Sequence, residues 1–184
     1  MNVVIAVDAS LSGTGLVTWQ GGRIRATTIS TPASDPAPQR HHTITMAILT
    51  RRDQRYGHTL IVMEDRIKPS EEQMRGMTTL DLAELRGVIG HGAWVAGIPI
   101  VYVHPATLKV YATGNGRASK SAMVAAARGR LGEHLHVSNE DEADAAWLLA
   151  MTLHHYGRPL CALPRKNVAA VAKPPWPPFT LEGP

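Results

Sequence analysis

The segment Val3–Asp8 constrains the fold most, because it is an apolar run rich in β-branched residues that ends in a single carboxylate. Such a run is typical of a strand buried on both faces of a sheet. A turn rich in Ser, Gly and Thr follows at residues 9–15, so Asp8 stands where the strand ends. Asp8 alone could simply form an Asx-turn with its own backbone. The same pattern recurs at residues 60–64, which end in Glu64, and this favours a site shared by the two strands.

The patterns around these strands predict an α/β fold. Residues 15–19 alternate apolar and polar side chains, and Gly21-Gly22 is a hairpin signal before residues 23–29, so three antiparallel strands open the chain. Residues 98–103 are a further buried strand. Apolar spacing and capping residues predict five helices. The first covers residues 40–56 and is ended by Gly57, the second runs from Thr78 or Thr79 to about Gly97, and the third starts at Pro105. The fourth covers residues 120–131 after Ser119, and the fifth covers residues 140–155, where Asn139 and Glu142 resemble a capping box.

Length and charge narrow the function class. The 184 residues suit one domain with a tail, and the net charge of +4 favours an anionic partner such as nucleic acid. Residues 85–132 contain no Asp or Glu, which predicts a basic face beside an acidic site. Its cations are Arg86, Lys109, Arg117, Lys120, Arg128 and Arg130. Among them we expect Lys109, Arg117, Lys120 and Arg128 to contact DNA.

The sequence gives no sign of export or membrane insertion. Its single cysteine, Cys161, excludes an internal disulfide, and no basic segment precedes an apolar one at the N-terminus. Glycines and prolines interrupt the uncharged stretch 87–108, so we do not expect it to span a membrane. We therefore expect a cytoplasmic protein. The loop 114–117 lacks the Gly-Lys-Ser/Thr ending of a P-loop, so no nucleotide cofactor is expected.

Two more acids complete the candidate site. Asp141 and Asp144 are three residues apart on a predicted helix and share a face. Acids in a first helical turn could act only on the helix dipole, but Asp144 lies among residues of a buried helix, where a charge is costly unless paired or metal-bound. Carboxylates without His or Cys select Mg²⁺ or Mn²⁺. Two such ions roughly 4 Å apart suit hydrolysis of a phosphodiester.

The order of these pieces resembles the RuvC family of Holliday junction resolvases. The matching pieces are Asp8 with the turn after it, Glu64, the helical stretch 82–87, the loop and helix start at 114–120, and residues 141–146. The match covers about residues 2–156. The resemblance implies an RNase H-like fold, with a five-stranded mixed sheet of three antiparallel then two parallel strands and helices on both faces.

The family also implies a function for particular residues. Its metal-binding catalytic acids correspond to Asp8, Glu64, Asp141 and Asp144, and its DNA-contacting lysine corresponds to Lys120. It implies a Mg²⁺-dependent crossover junction endodeoxyribonuclease that acts as a homodimer, because two symmetric nicks resolve a four-way junction. On the second predicted helix, we expect Leu82, Leu85 and Ile89 at the dimer interface.

Two positions depart from the family. Residues 9–11 replace the usual Pro-Gly after the first acid, and Ile67 stands near the place of an aromatic residue that stacks on DNA bases. These departures suggest broader substrate use than in bacterial enzymes, as in resolvases of bacteriophages.

Alternatives remain open from the sequence. A nuclease of the same mechanism could act on flaps or other branched DNA, and a non-catalytic protein could use the fold as a junction clamp. An actin-like ATPase or sugar kinase would require a longer chain and a second phosphate loop. Beyond the nuclease domain of residues 1–156, the proline-rich basic segment 157–184 is expected to be extended or disordered.

Overall fold

The computed structural model describes residues 2–52, 58–65 and 77–181, with the side chains of the last range described from residue 80. Five strands and six helices, followed by a 3₁₀ turn over Ala169–Ala172, make up this part of the chain. The strands are β1 (Val3–Asp8), β2 (Thr14–Gln20), β3 (Arg23–Ile29), β4 (Thr59–Glu64) and β5 (Ile100–Val103). The helices are α1 (Ala37–Leu49), α2 (Met77–Val95), α3 (Pro105–Thr113), α4 (Lys120–Leu131), α5 (Glu140–His155) and α6 (Arg165–Val168).

The five strands form one mixed sheet in the order β3-β2-β1-β4-β5. β1, β2 and β3 are antiparallel neighbours, whereas β4 lies parallel to β1 and β5 parallel to β4. Gly21 and Gly22 both adopt positive φ, of 54° and 85°, which is the conformation that a two-residue hairpin needs. The predicted fold class, with three antiparallel and two parallel strands, is confirmed.

The sheet buries a different apolar cluster on each face. Val3, Ile5 and Val7 point to one face and pack with α1 and α2, where Ile44, Ile48, Leu85 and Ile89 complete the cluster. Val4 and Ala6 point to the other face and pack with α3, α4 and α5. This alternation places Asp8 on the α5 side, because it follows Val4 and Ala6 at a spacing of two.

Several predicted helix boundaries require correction. α1 begins at Ala37, directly after Pro36, and ends at Leu49, so it is shifted towards the N-terminus relative to the predicted 40–56. Gly57, expected to end this helix, lies outside the described residues. Thr78 and Thr79 lie inside α2 rather than at its cap. The predictions for α4 and α5 are confirmed, with side chains of Ser119 and Asn139 capping them.

The expectation for the interface residues on α2 is wrong at two positions. Leu85 and Ile89 are fully buried in the core between α2 and the sheet, so they are not available to a second subunit. Helical spacing predicted correctly that these residues share a face, but it could not show which surface covers that face. Leu82 is only partly buried.

The prediction of an extended or disordered tail is also wrong. Residues 157–181 are folded back onto the α3–α5 side of the molecule, where Ala170 and Val171 join the core. His155 stacks on Trp176 at a centroid distance of 4.9 Å, and the Tyr156 hydroxyl donates to the Pro177 carbonyl at 2.7 Å. The prolines keep the regular structure here to the short helix α6 and one 3₁₀ turn, but burial of the apolar side chains between them still stabilises the folded segment.

None of the described helices is long and apolar enough to span a membrane.

Candidate active site

Two strand ends supply the first pair of acids. Asp8 is the last residue of β1 and Glu64 is the last residue of β4. The two strands are parallel neighbours, and the residues just before these acids, Val7 and Met63, pair with each other. Both carboxylates therefore emerge side by side at the same end of the sheet. They also emerge on the same face, because Leu60 and Val62 of β4 pack in the α5-side cluster.

The N-terminal turn of α5 brings the other two acids to this place. Gly15 of β2 is the direct pairing partner of Asp8, and a β-carbon at Gly15 would lie only 1.9 Å from the carbonyl oxygen of Asp141. A β-carbon at Gly13 would lie 2.7 Å from Oδ2 of Asp141. The missing side chains of these glycines thus leave the space in which α5 crosses the sheet beside Asp8.

The four acids influence one another electrostatically. Burial raises the pKa of Asp8 well above its usual range, and the charges of Glu64, Asp144 and Asp141 raise it further. Burial and then Asp144 raise the pKa of Glu64 to about 7. Burial is also the main cause of the raised pKa values of Asp141 and Asp144. The acids predicted from the sequence are therefore brought into one cluster, and its members resist ionising together.

The cluster suits a hard cation by its chemistry. Oδ1 of Asp144 is buried and makes no hydrogen bond within the described part of the chain, so this oxygen is available as a metal ligand. All four donors are carboxylates, the ligands that Mg²⁺ and Mn²⁺ prefer. In their present positions, no three His, Cys, Asp or Glu side chains of the described residues lie close enough together to hold an ion. A cation would draw the carboxylates inwards by removing their repulsion.

Cations flank this acidic cluster. The positive charge of Lys120, at the start of α4, lowers the pKa of all four acids, and Lys109 of α3 does so for Glu64 and Asp144. Arg86 of α2 lowers the pKa of Glu64. The Lys120 ammonium is exposed and lies 3.7 Å from Oε2 of Glu140. The charges of Lys120 and Lys109 therefore act on the acidic cluster from its edge.

The other two basic candidates are placed differently. Arg117 is exposed in the loop before α4, where its backbone N–H donates to Oδ1 of Asn115 at 3.0 Å. The Arg128 guanidinium donates to the carbonyls of Val137 and Ser138, at 3.2 and 3.1 Å. Arg128 thus supports the loop that leads into α5, and this structural role does not follow from its charge alone.

Sequence reasoning missed the role of Glu142. Its side chain is buried, and each oxygen accepts one hydrogen bond, from the Thr28 hydroxyl at 3.1 Å and from the Ser138 backbone N–H at 2.8 Å. The capping box is thereby altered, because Glu142 bonds Ser138 instead of Asn139. The sequence signal for this role is that Glu142 is an acid within a predicted buried helix, between Asp141 and Asp144.

Comparisons with known proteins agree with this fold. No family model matches the chain. A relative from Anaeromyxobacter sp. (strain K), named crossover junction endodeoxyribonuclease RuvC, is 38% identical over 95 residues, which are 52% of this chain. The aligned region spans about half of that relative, at 49% of its length. A relative of the same name from Rhodopirellula baltica is 29% identical over 159 residues, covering 83% of this chain and 85% of that protein.

The solved structure of T. thermophilus RuvC in complex with a Holliday junction substrate superposes with a TM-score of 0.58 at 20% identity. The superposition covers 86% of this chain and 98% of the RuvC chain. It shows that the sheet, with helices on both faces, is the RNase H-like fold found in RuvC. The resemblance to the RuvC family that the sequence predicts is thereby confirmed, and the chain is similar to RuvC proteins and shares their RNase H-like fold.

Proposed function

We propose that the chain is a Mg²⁺-dependent, structure-selective endodeoxyribonuclease that resolves four-way DNA junctions by paired symmetric nicks. The observation that carries this proposal is the cluster of Asp8, Glu64, Asp141 and Asp144 at one end of the sheet, with mutual charge repulsion that a metal would relieve. The names of the similar proteins support the substrate class.

The four carboxylates would hold two Mg²⁺ ions, for which Mn²⁺ can substitute. Asp8 would be the central donor of this set, because Glu64 lies on the adjacent strand and α5 crosses the sheet at Gly15, the pairing partner of Asp8. When bound, the ions would activate water and stabilise the leaving oxygen of the phosphodiester. The donors stand on the ends of β1 and β4 and on α5, and their side chains would move inwards when the ions bind.

The cations beside the cluster would hold the DNA backbone. Lys120 stands at the N-terminus of α4, where backbone N–H groups also favour phosphate. Lys109 and Arg117 would extend the contact along the strand, and Arg128 would contribute only indirectly through the loop that it supports. Contacts of this kind position the substrate and carry no sequence information.

Junction resolution requires two sites, and we propose a homodimer formed through the outer surface of α1 and α2. Five large apolar side chains in the described part of these two helices are exposed, and the four other than Leu80 define what we call the α1/α2 patch. Met46 is 44%, Val88 39%, Trp94 78% and Val95 67% exposed. Such a patch is uncommon on a monomer, and one two-fold interface would cover it in both copies. This patch replaces Leu85 and Ile89 as the expected interface.

The test is cleavage of an immobile four-way junction beside a flap, a fork and a plain duplex of matched sequence, each with Mg²⁺. Paired nicks confined to the junction are the expected result. Equal cutting of flap and fork would assign a general branched-DNA nuclease of the same mechanism. Tight junction binding without cutting of any substrate would contradict the nuclease and favour a non-catalytic clamp.

A further inference from the structure

Three polar residues connect the start of α5 to the edge strand β3. The Asn139 side-chain amide donates to the Thr28 hydroxyl at 2.8 Å, and that hydroxyl donates to Oε1 of Glu142 at 3.1 Å. Oδ1 of Asn139 accepts from the Glu142 backbone N–H at 2.9 Å, which closes a ring of hydrogen bonds. We call Thr28, Asn139 and Glu142 the Thr28 cluster.

The Thr28 cluster lies in the same row of the sheet as the candidate metal ligand of β1. Thr28 pairs with Gly15 across β2 and β3, and Gly15 pairs with Asp8 across β1 and β2. The Thr28 methyl group is also 3.5 Å from the position of a β-carbon at Gly13, next to Oδ2 of Asp141. Thr28, at one end of this row of paired residues, therefore holds the start of α5. Asp8, at the other end, carries the carboxylate that lies beside the acids of α5.

Burial of the Glu142 carboxylate costs free energy, and this cost indicates that the residue has a specific structural role. Glu142 is only 6% exposed, so both of its oxygens need hydrogen bonds, and Thr28 supplies one of the two. Glu142 lies on α5 between Asp141 and Asp144, and its bonds point towards β3 and Ser138 instead of into the acidic cluster. An ordinary helix cap would need only Asn139.

We infer that the Thr28 cluster is a positioning device: it sets the distance from Asp141 and Asp144 to Asp8 and so sets the affinity of the acidic cluster for divalent metal. This inference rests on the proposed function. Thr28 and Glu142 are positioning residues that act through the carboxylates of α5, because their hydrogen bonds hold the start of that helix. A loosened helix start would move its two acids away from Asp8 while the rest of α5 remained packed.

The test compares Thr28→Val, which keeps the shape and strand preference but lacks the hydroxyl, with Thr28→Ser, which keeps the hydroxyl. Two readouts are used: Mn²⁺ binding to the metal-free protein by calorimetry, and the Mg²⁺ concentration giving half-maximal junction cleavage. We expect Thr28→Val to weaken Mn²⁺ binding and raise the required Mg²⁺ by about tenfold, in the range seen when supporting groups around metal ligands are lost. Thr28→Ser should behave as the unmodified protein does, and junction binding in EDTA should be unchanged in both.

A second variant guards against misfolding of the first. Asn139→Ser keeps an N-cap oxygen but removes the amide that donates to Thr28, and it should shift metal affinity in the same direction. If both Thr28→Val and Asn139→Ser keep the Mn²⁺ affinity and Mg²⁺ dependence of the unmodified protein, the inference is overturned. The proposed function would still hold in that case, provided that the unmodified protein cleaves the junction. Weakened Mn²⁺ binding in a protein that cuts no DNA would support the inference and contradict the proposed function.

Discussion

Asp141 and Gly15 are in direct backbone contact, and this contact fixes where α5 crosses the sheet. A β-carbon at Gly15 would overlap the Asp141 carbonyl group, at 1.9 Å from the oxygen and 2.3 Å from the carbon. Gly15 is paired with Asp8, so the crossing point lies beside the acid at the end of β1. Gly15, which has no side chain, thus allows α5 to bring Asp141 and Asp144 close to Asp8.

Gly15→Ala should slow cleavage strongly in a protein that still folds. The methyl group would meet backbone, so α5 must move, and a shift of about 1 Å in catalytic groups can cost about 100-fold in rate. The destabilisation should be about 1–3 kcal/mol, as for other overpacked sites. The measurements are single-turnover nicking of a four-way junction and urea unfolding.

Gly129→Ala is the matched control, because no described atom outside its own helix lies within 4 Å of a β-carbon there. It should keep full activity and gain slight stability in α4. Equal activity of the Gly15 and Gly129 variants would show that the close approach does not position the acids.

Glu64→Gln should stabilise the metal-free protein at high pH. Its pKa is raised from 4.5 to about 7 in the folded state, so the folded protein retains a proton that the unfolded chain releases. Stability therefore falls as pH rises from about 4.5 to 7, and the penalty is fully present above that range. Thermal unfolding in EDTA should show little difference between the two proteins at pH 4.5 and an advantage of about 1–3 kcal/mol for Glu64→Gln at pH 8.

Glu133→Gln is the control for the same experiment, since Glu133 is an exposed carboxylate just after α4. It should give no advantage that grows with pH. Addition of Mg²⁺ should stabilise the unmodified protein at pH 8 but not Glu64→Gln. A Glu64→Gln protein that is less stable than the unmodified protein at pH 8 would contradict the repulsion among the acids.

Lys120→Ala should slow cleavage and weaken the salt dependence of junction binding. Its exposed ammonium lies beside the acidic cluster, where one phosphate contact would release about one condensed counterion. The slope of log affinity against log salt should fall by about 1. Lys173→Ala, which removes an exposed lysine from the C-terminal segment, is the control. An unchanged slope for Lys120→Ala would exclude a phosphate contact there.

Trp94→Ser should convert a dimer into a monomer without unfolding it. Trp94 is 78% exposed, so its removal costs the isolated subunit little, whereas a buried tryptophan at an interface contributes strongly to association. Light scattering gives the mass, and circular dichroism checks the fold. A Trp94→Ser protein that remains a dimer would show that the α1/α2 patch is not the interface.

The sequence predicted the sheet well because its strands follow from local patterns, and the same patterns place Asp8 and Glu64 at strand ends. The apolar runs before Asp8 and Glu64 can be buried only in a sheet centre, and Asn139 marks the start of α5. Leu85 and Ile89 were harder to assign, since an apolar helix face gives no sign of whether a sheet or another subunit covers it.

The remaining differences arise from contacts between distant parts of the chain. Thr28 and Glu142 are 114 residues apart, and no pattern near either residue predicts their hydrogen bond. In the C-terminal segment, Trp176 and Phe179 pack against the core, and the prolines between them give no local pattern that predicts this contact. Ile67, where the sequence departs from the family, lies outside the described residues.

The most direct test of the proposed nuclease is Mg²⁺-dependent nicking of a four-way junction by the unmodified protein, Asp144→Asn and Glu133→Gln, with junction binding measured in parallel. We predict paired symmetric nicks by the unmodified protein and by Glu133→Gln. Asp144→Asn should bind the junction as tightly but cut it at least about 1,000-fold more slowly, since the loss of one metal ligand removes several kcal/mol of transition-state stabilisation. Undiminished cleavage by Asp144→Asn would contradict catalysis by the acidic cluster.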